Sequence, residues 1–82
     1  MTVTIQQRDW KKRVSYDDPC GCLLARAVKR TLRTRRYVAV WAPGMINVDG
    51  KKLYTYNERK YESRLIAAHH DPSLLPMTIT LR

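Results

Sequence analysis

The sequence has little acidic charge, few cysteines and no long apolar run, and each shortage excludes a class of protein. Only seven Asp and Glu residues oppose sixteen Lys and Arg residues, so the formal net charge is +9. Two cysteines separated by one residue do not make the disulfide framework of a small secreted domain. No apolar run is long enough to span a bilayer, and no signal peptide is visible. We therefore expect a cytoplasmic protein without a membrane partner.

The length of 82 residues predicts one domain over 1–82, with a core of modest size. A chain this short buries roughly 60–65% of the surface that its unfolded state exposes. One copy of the chain therefore offers little room for a deep pocket. We expect any cleft to lie on an exposed sheet face or at an interface between copies, which leaves a homodimer open.

Alternation of apolar and polar residues predicts several strands around two helices. The strand segments are 2–6, 37–41, 45–48, 51–56 and 77–81. A short turn capped by Asp9 follows the first strand, Pro43-Gly44 forms a turn, and Asp49-Gly50 forms a type I′ hairpin. We expect an α+β fold, as a single two-layer domain with a mostly antiparallel sheet and two helices packed on one face. Pairing between the two terminal strands stays open.

The central segment, 17–36, carries six of the sixteen cations and both cysteines. Asp18 precedes Pro19, which suits the first helical position, so we expect the first helix to begin there. Leu24, Val28 and Thr31–Leu32 then share an apolar face. The opposite face is cationic; it holds Arg26, Lys29, Arg30 and Arg33. The second helix is expected over 58–69, with Asn57 as its N-cap and Asp71-Pro72 at its end. Its buried face would hold Tyr61, Leu65, Ala68 and His69.

Cys20, Cys22, His69 and His70 have the side-chain types that bind zinc. Their spacing matches no zinc finger or ribbon, and adjacent histidines on a helix point about 100° apart. We therefore interpret the cysteines as packing residues and expect no metal or other cofactor.

The acidic residues give no sign of a catalytic centre. Most aspartates stand at turn or cap signals, where the carboxylate has a local role. The sequence has no glycine-rich phosphate loop, nucleophile elbow or paired-carboxylate pattern. A nuclease that uses Glu62 with His69 or His70 stays open, but we expect a binding protein that is not an enzyme.

The cationic face of the first helix is the main candidate site. Arginine suits phosphate because its planar fork donates two parallel hydrogen bonds. Cations beside aromatic rings are also typical of nucleic-acid surfaces. The candidate residues are Arg26, Lys29, Arg30, Arg33, Arg35, Arg36, Lys11, Lys12 and Trp41. No base-reading motif is present, so the expected contacts are to phosphates. The alternative is an inhibitor that docks through the same surface, or through strand 77–81, on an acidic host protein without binding nucleic acid.

The chain resembles a group of small proteins encoded by tailed bacteriophages. The matching features are the short N-terminal strand, the segment Asp-Pro-Cys-Gly-Cys-Leu-Leu-Ala-Arg-Ala-Val-Lys-Arg (18–30) and Leu-Pro-Met-Thr-Ile-Thr-Leu (75–81). In that group a proline often follows the second cysteine, where this chain has Leu23. The resemblance implies a phage-encoded factor of host takeover or anti-defence, acting in a bacterial cytoplasm.

Together these features predict a small basic binding protein that acts on nucleic acid, a nucleotide or a nucleic-acid-bound host complex. A variant implied by the phage resemblance is a protein that sequesters a cyclic nucleotide. Its arginines would clamp phosphate while Trp41 or a tyrosine stacks on the base.

Overall fold

The computed structural model of the chain describes residues 1–11, 19–41 and 44–82, and of Lys52 and Leu53 it describes the backbone only. The predicted helix start at Asp18, the basic residues Lys12 and Arg13, and Pro43 lie outside the described residues. The elements in chain order are β1 (Thr2–Ile5), α1 (Gln7–Lys11), α2 (Leu23–Thr31), β2 (Val38–Trp41), β3 (Met45–Val48), β4 (Lys51–Thr55), α3 (Glu58–His70), a 3₁₀ turn (Pro72–Leu74) and β5 (Met77–Thr80). The predicted α+β fold is confirmed.

The strands form two antiparallel sheets, with the orders β1-β5 and β2-β3-β4. The terminal strands pair with each other, which sets buried Val3 opposite buried Ile79. Two backbone hydrogen bonds between Thr55 and Arg82, of 3.0 and 2.8 Å, join the end of β4 to the residues that follow β5. The two sheets are thereby linked edge to edge.

The hairpin between β3 and β4 has the predicted turn. Asp49 and Gly50 have φ angles of 53° and 80°, the left-handed values that type I′ requires at both central positions. The strand before the turn, β3, contributes buried Ile46 and Val48 to the core, as its alternation predicts.

The start of α2 differs from the prediction. Pro19 and Cys20 lie in a turn, and the helix begins four residues later, at Leu23. Cys22 is the N-cap, and its Sγ accepts a hydrogen bond of 3.4 Å from the Ala25 N–H. The carbonyl of Pro19 instead accepts a hydrogen bond of 2.8 Å from the Val40 N–H on β2. A contact with the sheet thus overrides the local signal.

The core lies around α2, which packs against both β1 and β2. Its buried residues are Leu23, Leu24, Ala25, Ala27 and Val28. Thr31 is exposed, against the prediction, and Leu32 is only partly buried. The predicted second helix is α3. It begins after the predicted cap Asn57 and ends at His70 with Asp71 as its C-cap, and its four predicted core residues are all buried.

Candidate phosphate-binding groove

The outward face of α2 carries the predicted cationic residues. One face of the helix is held against the sheets by its five buried residues, Leu23, Leu24, Ala25, Ala27 and Val28. Arg26, Lys29 and Arg30 lie on the other side and are half-buried. Half-burial of a long basic side chain leaves its stem on the protein surface and its charged end near water.

The end of α2 turns the next cations back beside the helix. The Arg33 N–H donates to the Arg30 carbonyl over 3.1 Å, and the Thr34 N–H donates to the Lys29 carbonyl over 3.3 Å. These two bonds form a Schellman motif, whose turning position is usually glycine because its φ is positive. Here Arg33 occupies that position with φ of 52°. The motif brings Arg33, Thr34 and Arg35 to the same side as the helix cations.

Helix α1 forms the other wall through a tightly bonded ion pair. Asp9, which is 4% exposed, accepts hydrogen bonds of 3.1 and 2.9 Å from Nε and Nη2 of Arg30. Nη2 also donates to the Thr4 carbonyl on β1 over 2.6 Å. The hydrogen bonds that Arg30 donates to Asp9 raise the pKa of Arg30 above its ordinary value, and the carboxylate charge adds to this. Arg30 therefore joins α1, α2 and β1 together.

The prediction for Asp9 is corrected by the same contacts. We expected its carboxylate to cap a turn that follows it, whereas Asp9 lies inside α1 and its Oδ2 accepts from the Gln6 N–H over 2.8 Å. Asp9 thus closes the start of α1 from within and neutralises Arg30. The helix pattern of 7–11 is too short for either role to be inferred from the sequence alone.

These elements enclose an open groove of about 450 Å³. It is lined by six cations, one acidic residue and one threonine: Arg8, Arg26, Lys29, Arg30, Arg33, Arg35, Asp9 and Thr34. Asp9 is already paired with Arg30. Because the one carboxylate is paired with Arg30, the remaining five cations give the groove a positive charge that no acidic residue in the described part of the chain compensates.

Arg26 has a buried hydrogen-bond donor, its Nε. Among the residues that the structure describes, none accepts a hydrogen bond from its Nε, although that atom is shielded from water. A buried donor without a partner costs about 1–3 kcal/mol. An anionic acceptor is the kind of group that would satisfy this donor, and the Arg26 side chain lines the groove.

The structure brings together five of the nine predicted site residues: Arg26, Lys29, Arg30, Arg33 and Arg35 line the groove. Arg36 points elsewhere, since its Nε lies 3.4 Å from Oδ2 of Asp49 in the β3–β4 hairpin. Lys11 is exposed at the end of α1 and does not line the groove. Lys12 lies outside the described residues. Arg8 also lines the groove but was not among the predicted site residues. A predicted helix over 7–11 would have indicated it, because that helix places Arg8 next to Asp9.

Trp41 lies in a second cleft, of about 350 Å³, between β2 and α3. Cys22 and His69 also line it. Nε2 of His69 accepts a hydrogen bond of 3.1 Å from the Leu23 N–H, so this histidine holds α3 to the start of α2. His70 is exposed, and the described residues contain no cluster of three or more metal-ligating side chains.

Known proteins give no guide to the groove. No family model, curated protein or solved structure matches the chain. Among the described residues, no helix is both long and apolar enough to cross a membrane.

Proposed function

We propose that this protein is a binding protein that holds the phosphate backbone of nucleic acid in the cationic groove. The observation that supports this most is the convergence of cations from α1, α2 and the turn after α2 on one groove. One of them, Arg26, has a buried donor that no described residue accepts from. Arginine donors suit phosphate oxygens in charge and geometry. A net charge of +9 adds a field that speeds encounter with a polyanion.

The composition of the groove favours a nucleic-acid backbone over a single nucleotide. Aromatic rings that stack on the bases hold single-stranded DNA and RNA. The hypothesis of a sequestered cyclic nucleotide likewise needs Trp41 or a tyrosine to stack on the base. None of the described residues that line the groove is aromatic, and Trp41 lines the other cleft. Contacts to phosphate alone carry no direct sequence information. We therefore expect duplexes of unrelated sequence to bind with similar affinity.

The test is fluorescence anisotropy with two unrelated duplexes at several salt concentrations. The logarithm of the affinity should fall with the logarithm of salt concentration, with a slope of about −0.9 for each phosphate contacted. Reversal of Arg26, Lys29 and Arg33 to Glu should abolish binding. Arg30 is left unchanged because its pair with Asp9 supports the fold.

A matched control reverses Lys51, Arg59 and Arg64, which are exposed and outside the groove. Each replacement of a cation by Glu lowers the net charge by two, so both triple variants have a net charge of +3 instead of +9. The control should lose much less affinity than the groove variant. Equal losses in the two variants, or an affinity that does not change with salt, would rule out the groove as the site.

The alternative function is inhibition of a host protein through an acidic surface. The same groove would then meet carboxylates in place of phosphates. Capture from bacterial lysate with and without nuclease separates the two, because a direct protein partner survives nuclease treatment. The phage origin and the role in host takeover or anti-defence stay predictions from the resemblance.

A further inference from the structure

The cleft between β2 and α3 is opposite in character to the cationic groove, and the two share no lining residue. Its walls include the aromatic residues Trp41 and Tyr56 and the carboxylates Glu58 and Glu62. Trp41 is 44% exposed, which is unusual for so large an apolar side chain. A cleft of about 350 Å³ is large enough to take one side chain or a small molecule.

The two glutamates are four residues apart on α3, so they lie on the same face of the helix. Like charges at this spacing repel each other. The chain has sixteen cations, yet the ion pairs among the described residues include neither Glu58 nor Glu62. The cleft therefore holds two negative charges that no ion pair within residues 1–11, 19–41 and 44–82 neutralises.

Glu58 has a further feature that points to a ligand. Its Oε2 is shielded from water, and no described residue donates a hydrogen bond to it. Glu58 lies in the first turn of α3, where the helix dipole favours a negative charge, so the presence of an acidic residue there is explained. The dipole does not provide a donor for the buried oxygen, and such unsatisfied atoms are rare in native proteins.

A ligand that satisfies all these groups must be cationic, must donate hydrogen bonds and must have a flat or apolar surface for the rings. Guanidinium and alkylammonium groups meet these conditions, because they pair with carboxylates and are attracted to the faces of tryptophan and tyrosine. Phosphate does not, since the glutamates would repel it. We propose that this cleft is a binding site for an organic cation, either the side chain of an arginine or lysine or a free polyamine.

The test follows the indole N–H resonance of Trp41 by NMR during titration with four probes. Three are cationic: Nα-acetyl-arginine amide, Nα-acetyl-lysine amide and spermidine. Nα-acetyl-glutamine amide is the neutral probe of similar shape. We expect saturable shifts at millimolar concentrations with the cations and none with the neutral probe. Tighter binding of spermidine assigns a free polyamine, and tighter binding of a capped amino acid assigns a protein side chain.

The glutamates are tested with Glu58→Gln and Glu62→Gln together, which keep the shape of the side chains and remove both charges. Affinity for the cations should fall about tenfold or more, as expected for the loss of a charge-assisted hydrogen bond. The control is Asp49→Asn, which removes a carboxylate outside the cleft and suits the same hairpin turn. No saturable shift with any cation, or affinity unchanged in the double variant, overturns the proposal.

Discussion

Arg30 and Arg33 belong to the same cationic stripe, yet their environments differ completely. The guanidinium of Arg30 donates to Asp9 and to the Thr4 carbonyl, so its charge is used within the fold. Arg33 is exposed, and its backbone has the positive φ that a glycine would accept more easily. Arg33 thus lowers the stability of the fold and makes no ion pair with a described residue. A residue that is unfavourable for folding is often explained by function, so this supports a role of Arg33 in binding.

Arg33→Gly should separate stability from binding. Glycine relieves the left-handed conformation at the turning position of the Schellman motif, so the free energy of unfolding should rise by about 0.5–1 kcal/mol. The same change removes one cation from the groove and should weaken duplex binding. Urea unfolding and anisotropy measure the two effects.

The control for that variant is Arg35→Gly, which also removes a groove cation but lies where no positive φ is recorded. It should weaken binding without any gain in stability. Stabilisation of both variants to the same extent would mean that the conformation of Arg33 carries no cost.

The Asp9–Arg30 pair should respond asymmetrically to the loss of either partner. Arg30→Met leaves a carboxylate that is 5% exposed without its counter-charge, and it should lower the free energy of unfolding by roughly 3 kcal/mol. Asp9→Ala should cost less, because the Arg30 side chain is 27% exposed and can turn to water. Urea unfolding of both single variants and the double variant gives the coupling energy. A double variant that is as unstable as the sum of the singles would contradict the pairing.

At the scale of elements, the sequence predicts best those segments whose signals are local. Helix α3 begins after Asn57, whose Oδ1 accepts from the Lys60 N–H, and it ends at His70 with Asp71 as its C-cap before Pro72. The alternation of β5 and the Asp49-Gly50 hairpin are also confirmed. In each case a few adjacent residues determine the backbone, and the core face follows from the period of the pattern.

The start of α2 and the role of Arg30 could not be predicted because both depend on distant partners. The signal at Pro19 is overridden when its carbonyl bonds to Val40, and Leu23 begins the helix with its N–H bonded to His69, 46 residues away. The stripe of cations was predictable from helical spacing, whereas its capture by Asp9 and the separate position of Trp41 require the tertiary fold.

Gly44, in the turn directly before β3, should not tolerate a side chain. Its φ is 100°, and a Cβ added there would overlap the carbonyl oxygen of Tyr56, which is held by the bond from the Tyr56 N–H to the Gly44 carbonyl. Gly44→Ala should therefore lower the free energy of unfolding by more than about 2 kcal/mol.

Gly50→Ala is the matched comparison, since Gly50 also has a positive φ, of 80°, but has open space around its Cα. The free energy of unfolding of this variant should fall by only about 1 kcal/mol, which is the cost of the backbone conformation alone. Urea unfolding distinguishes the two. Equal losses would show that the contact with Tyr56 adds nothing to the cost of the conformation.

At the scale of the whole molecule, α2 holds the two sheets together with one face and presents the cationic groove with the other. The N-terminal ammonium of Met1 donates to the Leu81 carbonyl over 3.1 Å, so even the ends of the described chain are paired. The fold thus closes around α2, while a net charge of +9 accumulates on its outside. The charge that would attract a polyanion also repels itself in the free protein.

Salt should therefore act in opposite directions on the free protein and on its complex with nucleic acid. Raising salt from about 10 mM to 150 mM shortens the Debye length from about 30 to 8 Å and screens the repulsion among the cations. Salt should weaken the ion pairs of the described residues only slightly. The Arg36–Asp49 pair is exposed and contributes little, and the Asp9–Arg30 pair is shielded from the salt. We expect the free protein to gain on the order of 1 kcal/mol, which is roughly 4–8 °C in melting temperature for a domain of this size.

The duplex complex should weaken over the same range, because the counterions released at each phosphate contact gain less free energy when the surrounding salt is more concentrated. Thermal melts of the free protein and anisotropy of the complex, in the same buffers, measure both responses. The groove variant with Glu at Arg26, Lys29 and Arg33 has a net charge of +3, so its melting temperature should depend much less on salt. A wild-type protein that loses stability as salt rises would mean that ion pairing outweighs repulsion, and the groove would then not be the uncompensated positive surface on which the proposed binding depends.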